Sequence, residues 1–234
     1  MRDMDTKQIT DSITRWQPQK FDLVLSTTIG LLFPIIAGAL YGATGAFVPM
    51  ILYYGVAWFI VKWRRGSTGY VNPLPKKVTI FFYLNIGVIL ISLICAYLAK
   101  NTFPTGEIAG ILITALIWAP MNAASEQLLW IYIFEAWDLY PSRSKVSFRI
   151  IGLILFASFV GMIHTMYWAK FLTTVDSHQV FGVIFVILTS VSGFLHLVVW
   201  RKTNQMIFTF IPHFLLNLIP IFWTGYSILP FLFH

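Results

Sequence analysis

From Leu23 onward the chain is almost entirely divided into long apolar runs: Leu23 to Tyr41, Ala46 to Val61, Val78 to Leu98, Ile108 to Trp137, Ile150 to Trp168, Val180 to Trp200, and Met206 to the C-terminus. A membrane span takes about 20 apolar residues, and backbone groups in lipid must be satisfied within the chain, so each run is expected to be a helix. The predicted fold is an all-α, polytopic transmembrane bundle of seven or eight spans. The last run is too long for one straight span, and Pro220 offers a break, which gives a short returning segment as the eighth. Only 11% of the 234 residues are charged, against about a quarter in ordinary soluble domains, and 58% are hydrophobic. Residues 1–20 are read as a cytoplasmic N-terminal segment and 21–234 as a single transmembrane domain, with no room for a receptor ectodomain or a soluble catalytic head.

The net charge of +7 is a matter of topology rather than of nucleic-acid binding, because the basic residues sit in short clusters between apolar runs. With the N-terminus in the cytoplasm, Arg2, Lys7, Arg15, Lys20, Lys62, Arg64, Arg65, Lys76, Lys77, Arg143, Lys145, Arg149, Arg201 and Lys202 share one side. Lys100 and Lys170 fall on the other, so the positive-inside rule selects this orientation. Trp63, Trp137 and Trp200 stand where an interfacial aromatic belt is expected. The mixed charges of the first twenty residues do not have the layout of a secretory signal peptide, and Ile9, Ile13 and Trp16 recur at the spacing of a short surface helix. Cys95 is the one cysteine, so there is no disulfide framework and no CxxC pair.

Charges inside a membrane are costly, and the few polar residues there carry the functional information. Glu126 lies twelve residues from Asp138, about 18 Å deep at 1.5 Å per residue, and His164 about 22 Å from Arg149. His213 and Asn217 lie about 17 and 22 Å from Lys202. Four polar side chains on three helices therefore share one layer near mid-bilayer. His213 and Asn217, four apart, stand on one helical face. A buried carboxylate oriented by a histidine serves as general base toward water, and a second imidazole with an amide donates to the oxyanion of a tetrahedral intermediate. The competing structural role is a polar network gluing helices, at about 0.6 kcal/mol per hydrogen bond. His196 and Glu135, near the predicted boundary, read as a wetted interfacial histidine and a solvated carboxylate. Asn85 and Asn122 read as interhelical hydrogen bonders.

These residues resemble the CAAX protease and bacteriocin-processing family of intramembrane proteases, whose motifs are EExxxR, FxxxH and HxxxN or HxxxD on successive helices. The corresponding segments here are Glu126-Gln127-Leu128-Leu129-Trp130-Ile131, Val160-Gly161-Met162-Ile163-His164 and His213-Phe214-Leu215-Leu216-Asn217. The resemblance covers roughly residues 108–219, including the approach from Gly193 through Trp200 and Arg201 to Pro212. It implies hydrolysis of a peptide bond in a membrane-associated or prenylated substrate, a peptide or lipidated protein. Glu126 with His164 would activate water, and His213 with Asn217 would hold the oxyanion.

Gln127, Ile131 and Val160 depart from the family's second Glu, its Arg and its Phe. An acid and a base are lost together, which reads as a coordinated swap, since losing one alone would strand a buried charge. A catalytically inactive relative, acting as a bacteriocin-immunity protein or membrane scaffold, is the alternative; a proton-coupled transporter is a third reading. No cofactor is expected. The exception is zinc on Glu126, His164 and His213, a ligand set of hydrolytic type although no HExxH pair supports it. The expected setting is the plasma membrane of a prokaryote. Pro120 and Pro212, near the polar layer, are candidate kinks, and Gly38 with Gly42 forms a GxxxG packing motif.

Overall fold

A computed structural model describes residues 16–75, 77–103 and 107–233. Most of the expected N-terminal segment, including Ile9 and Ile13, lies outside the described residues, as does Lys76. The helices are α1 (Lys20–Thr44), α2 (Phe47–Arg65), α3 (Ile80–Leu98), α4 (Ile108–Ile113), α5 (Ala119–Asp138), α6 (Lys145–Met166), α7 (Val180–Thr203) and α8 (Ile207–Thr224). A π-helical turn, Thr114–Trp118, joins α4 to α5. No strand occurs among the described residues beyond an isolated bridge between Lys100 and Val175.

Six helical segments are long and apolar enough to cross a membrane: Lys20–Thr44, Ile80–Leu98, Ile108–Asp138, Lys145–Lys170, Val180–Thr203 and Ile207–Thr224. The chain is therefore a helical, multi-pass membrane bundle. The 19-residue α2 is not among the six, and this is where the expected seven or eight spans part from the structure. Its tyrosines, tryptophans and terminal Lys62, Arg64 and Arg65 lower its apolarity, while Tyr53, Tyr54 and Ala57 are buried. The expected break at Pro220 is also corrected. α8 continues through Pro220 to Thr224 and stops at Gly225, whose φ of 68° suits glycine, and only a short 3-10 turn, Leu229–Phe231, follows.

α5 occupies the centre of the bundle, packed against α1, α2, α6 and α8, while α3 pairs with α7 and α8. Along α5 every residue from Ser125 to Ala136 is buried. Such a helix can carry Asn122, Ser125, Glu126, Gln127 and Glu135 because its neighbours, rather than lipid, surround it. The π turn comes just before Pro120, which has no N–H to continue the regular ladder; Thr114 Oγ1 caps Gly110 O at 2.6 Å and accepts from Ile228 N at 2.9 Å. A local change of helical pitch thus accompanies the candidate kink at Pro120.

The two ends of the bundle differ in charge. At one end Arg64 holds Asp22 at 2.7 Å, Arg65 meets Glu135 at 3.3 Å, and Asp138 receives Arg149 at 2.6 Å and Arg201 at 3.3 Å. At the other, Asn101 N donates to Thr174 O and Phe103 N to Thr224 O, and Lys170 Nζ reaches Gly38 O at 2.7 Å. Trp63 is exposed and Trp137 half-buried, but Trp200 is not part of an interfacial belt. It is buried, stacks under the Arg65 guanidinium and donates to Glu135 Oε1 at 2.8 Å.

Candidate functional site

Glu126 is 1% exposed, one turn into the deep half of α5, and both of its oxygens are engaged. Trp168 Nε1 donates to Oε1 at 2.6 Å. Asn122 Nδ2 donates to Oε2 at 3.2 Å, and His213 Nε2 stands 3.3 Å from the same oxygen. The partners come from α5, from α8 and from the turn that follows α6. The site is therefore a carboxylate around which helices converge, as the shared depth of Glu126 and His213 anticipated.

α6 ends at Met166, and a 3-10 turn carries Trp168 inward, so the contact of this segment with the carboxylate is made by Trp168. His164, one turn earlier, is exposed on the bundle surface; its Nδ1 bonds Val160 O at 2.8 Å, and no hydrogen bond joins it to Glu126. Its ring lies 6.2 Å from that of Trp130, which in turn stacks on His213 at 5.2 Å and 25°. Asn217 is half-buried, with its Nδ2 buried and without a hydrogen-bond partner. The structure thus brings Glu126 and His213 into contact, leaves His164 exposed on its own helix without a hydrogen bond to the carboxylate, and leaves Asn217 one turn along α8.

A second layer holds these groups. Tyr54 donates to Asn122 Oδ1 at 3.0 Å, and Trp130 Nε1 donates to the Tyr53 hydroxyl at 3.1 Å. α2 thereby fixes both the amide beside Glu126 and the indole beside His213. Asn122 bridges helices as expected, but it also bonds the carboxylate, and its spacing of four residues before Glu126 was the available signal. Trp168 was the missed residue; its place four after His164 was the corresponding clue.

Two further expectations are corrected. Glu135 is not solvated: it is 3% exposed, bound by Trp200 and Arg65. His196 is not a wetted interfacial residue: it is 3% exposed, bonded through Nδ1 to Ser192 O at 2.7 Å, its ring 6.0 Å from that of His213. Distance along a helix from a charged boundary measures depth only, whereas burial here comes from lateral neighbours.

The positions that depart from the family pattern are built into the packing. Gln127 is buried and donates from Nε2 to Thr209 O at 2.8 Å, a bond an ionised glutamate cannot make. Ile131 is 1% exposed within the apolar core, and Val160 packs against that core near buried Phe156 and Phe159.

Among the described residues, no three His, Cys, Asp or Glu side chains gather as a metal-holding group. Glu126 Oε2 and His213 Nε2 face each other, while His164 is turned to its own helix. The residues as placed do not fit the zinc set of Glu126, His164 and His213. Beside the site, a groove of ≈ 240 Å³ is lined by Trp58, Tyr70, Ala124, Ile207 and Phe210. A second of ≈ 560 Å³, lined by Trp58, Phe59, Lys62, Trp63 and Thr68, shares Trp58 with it. Trp58 Nε1 donates to Ser125 Oγ at 3.0 Å and Tyr70 to Ala124 O at 2.8 Å, and the smaller groove borders α5 at Ala124. Comparison with family models, curated proteins and solved structures yields no match.

Proposed function

We propose that this chain is an intramembrane peptidase of the CAAX protease and bacteriocin-processing type, hydrolysing a peptide bond of a membrane-associated or lipidated substrate. The observation that carries the reading is the convergence of an amide, an indole and an imidazole on the buried Glu126 carboxylate. In this reading Glu126 takes a proton from water, with His164 approaching from the end of α6 once substrate separates it from its own helix. His213 and Asn217 then donate to the tetrahedral oxyanion, Asn217 Nδ2 being free to do so. The reaction is proposed as metal-independent. The apolar grooves sharing Trp58 offer a path for the lipid-bearing part of the substrate, with α2 counted as a seventh span. The basic end of the bundle is assigned to the cytoplasm, of a prokaryotic plasma membrane, with the N-terminus on that side.

One observation favours a second reading. Both oxygens of Glu126 already accept hydrogen bonds, which suits a non-catalytic immunity protein or membrane scaffold whose polar cluster holds helices together. Purified wild-type protein incubated with a library of prenylated and acylated peptides, with and without chelator, separates the two. Chelator-insensitive cleavage supports the metal-free peptidase, chelator-sensitive cleavage contradicts its metal independence, and absence of cleavage across the library favours the scaffold.

A further inference from the structure

Two buried imidazole nitrogens stand without hydrogen-bond partners on neighbouring rings: His213 Nδ1 on α8 and His196 Nε2 on α7. Their ring centroids are 6.0 Å apart, inclined at 57°. A buried polar atom without a partner calls for a physical reason, because leaving one unsatisfied is expensive.

The proton on His196 can be assigned from its other side. Nδ1 lies 2.7 Å from the carbonyl oxygen of Ser192, which only accepts, so Nδ1 carries the hydrogen and the neutral ring presents a bare lone pair at Nε2. Ser192 is itself held by its hydroxyl donating to Asn85 Oδ1 at 2.7 Å on α3, which fixes the turn of α7 that carries His196. The Thr209 backbone oxygen, which accepts from Gln127 Nε2 at 2.8 Å, also lies beside the His196 ring and retains a second lone pair. His196 Nε2 is therefore an acceptor without a hydrogen bond on the ring next to that of His213.

We propose that His196 is a positioning residue for His213: its bare Nε2 accepts the Nδ1 proton of His213, directly or through one buried water, and sets the tautomer of the ring facing Glu126. With Nδ1–H committed to His196, Nε2 of His213 and Oε2 of Glu126 hold a single proton between them across 3.3 Å. When that proton sits on Nε2, Glu126 is an ionised base and His213 donates on both sides. When it sits on Oε2, Nε2 is free to receive it again. Without His196, the ring has no acceptor for Nδ1–H and adopts the Nε2–H form, which fixes the proton toward Glu126 and ends the exchange. A hydrogen bond at one ring nitrogen of a histidine fixes the tautomer, and so the role of the other nitrogen. Trp130, stacked on His213, keeps the ring plane in place while the proton moves.

The inference rests on the reading of Glu126 and His213 as the working pair, but its test reads the ring and not peptide cleavage, so the two can fail separately. Protein labelled with ¹⁵N-histidine and reconstituted in bilayers is observed by solid-state NMR as wild type, His196→Phe and His196→Gln, with His213→Asn to assign the His213 signals. Monodispersity in detergent before reconstitution establishes that each variant is folded. The expected pattern is a protonated Nδ1 at His213 in wild type, its loss in His196→Phe, and its retention in His196→Gln, whose amide oxygen replaces the acceptor. A bare Nδ1 in the wild type, or a protonated Nδ1 that survives in His196→Phe, overturns the proposal.

Discussion

Trp168 donates its indole N–H to Glu126 at 2.6 Å across 42 residues of sequence, closing one side of a carboxylate whose other oxygen faces Asn122 and His213. Hydrogen bonds to charged groups are about twice as strong as neutral ones, and leaving a buried acceptor unsatisfied costs about 1–3 kcal/mol or more. Trp168→Phe keeps the ring and removes the donor. It is expected to lower the unfolding free energy in detergent by about that amount, followed by intrinsic tryptophan fluorescence. The loss is expected to shrink in the Glu126→Gln background, where the acceptor is no longer charged; equal losses in both backgrounds contradict the pairing.

Gln127 stands where the family that the chain resembles has a second glutamate, and its packing can be tested directly. Its Nε2 donates to Thr209 O, and Gln127→Glu replaces that donor with a buried carboxylate facing a carbonyl. A loss of about 2–4 kcal/mol is expected, since a buried charge without a partner is among the more destabilising single changes. Gln127→Leu, which removes the bond without adding charge, is expected to cost less. Thermal unfolding of the two variants side by side gives the comparison.

Much of the bundle is legible in the apolar runs, because lipid leaves the backbone no alternative to helix, and Gly45, Gly66 and Asn204 close α1, α2 and α7 shortly after their runs end. Depth placed Glu126, His164, His213 and Asn217 in one layer, but it did not distinguish His213, which meets Glu126, from His164, which bonds its own helix. Glu135 and His196 were not legible: each lies near a predicted boundary, yet Arg65 with Trp200, and Ser192 with Asn85, bury them from the side. Trp168 was hidden for a related reason. It reads as the end of an apolar run, and only the turn after Met166 carries its indole into the bundle.

The GxxxG of α1 separates into two unlike glycines. A Cβ on Gly38 would lie 2.7 Å from the backbone oxygen of Met166, whereas nothing stands within 4 Å of one on Gly42. Gly38→Ala is expected to push α1 from the end of α6 and to cost about 1–3 kcal/mol, while Gly42→Ala stays within about 0.5 kcal/mol of wild type. Melting temperatures in detergent distinguish them, and equal effects contradict the close approach.

At the charged end, Glu135 is held by Arg65 and Trp200 in a buried arrangement. Arg65→Met leaves the carboxylate without its cation and is expected to cost about 3–5 kcal/mol. Removing both charges together, in Arg65→Met with Glu135→Gln, is expected to recover most of the loss. A double-mutant cycle of unfolding free energies measures this recovery, and simple additivity contradicts the coupling.

In the proposed function Glu126 is the working carboxylate of a peptidase. The most direct test is cleavage of a lipidated peptide by wild type and by Glu126→Gln, each first shown to melt as a folded, monodisperse species. Cleavage by the wild type and its loss in Glu126→Gln are expected, with the variant at least as stable because a buried charge has been removed. Full cleavage by a folded Glu126→Gln protein contradicts this role.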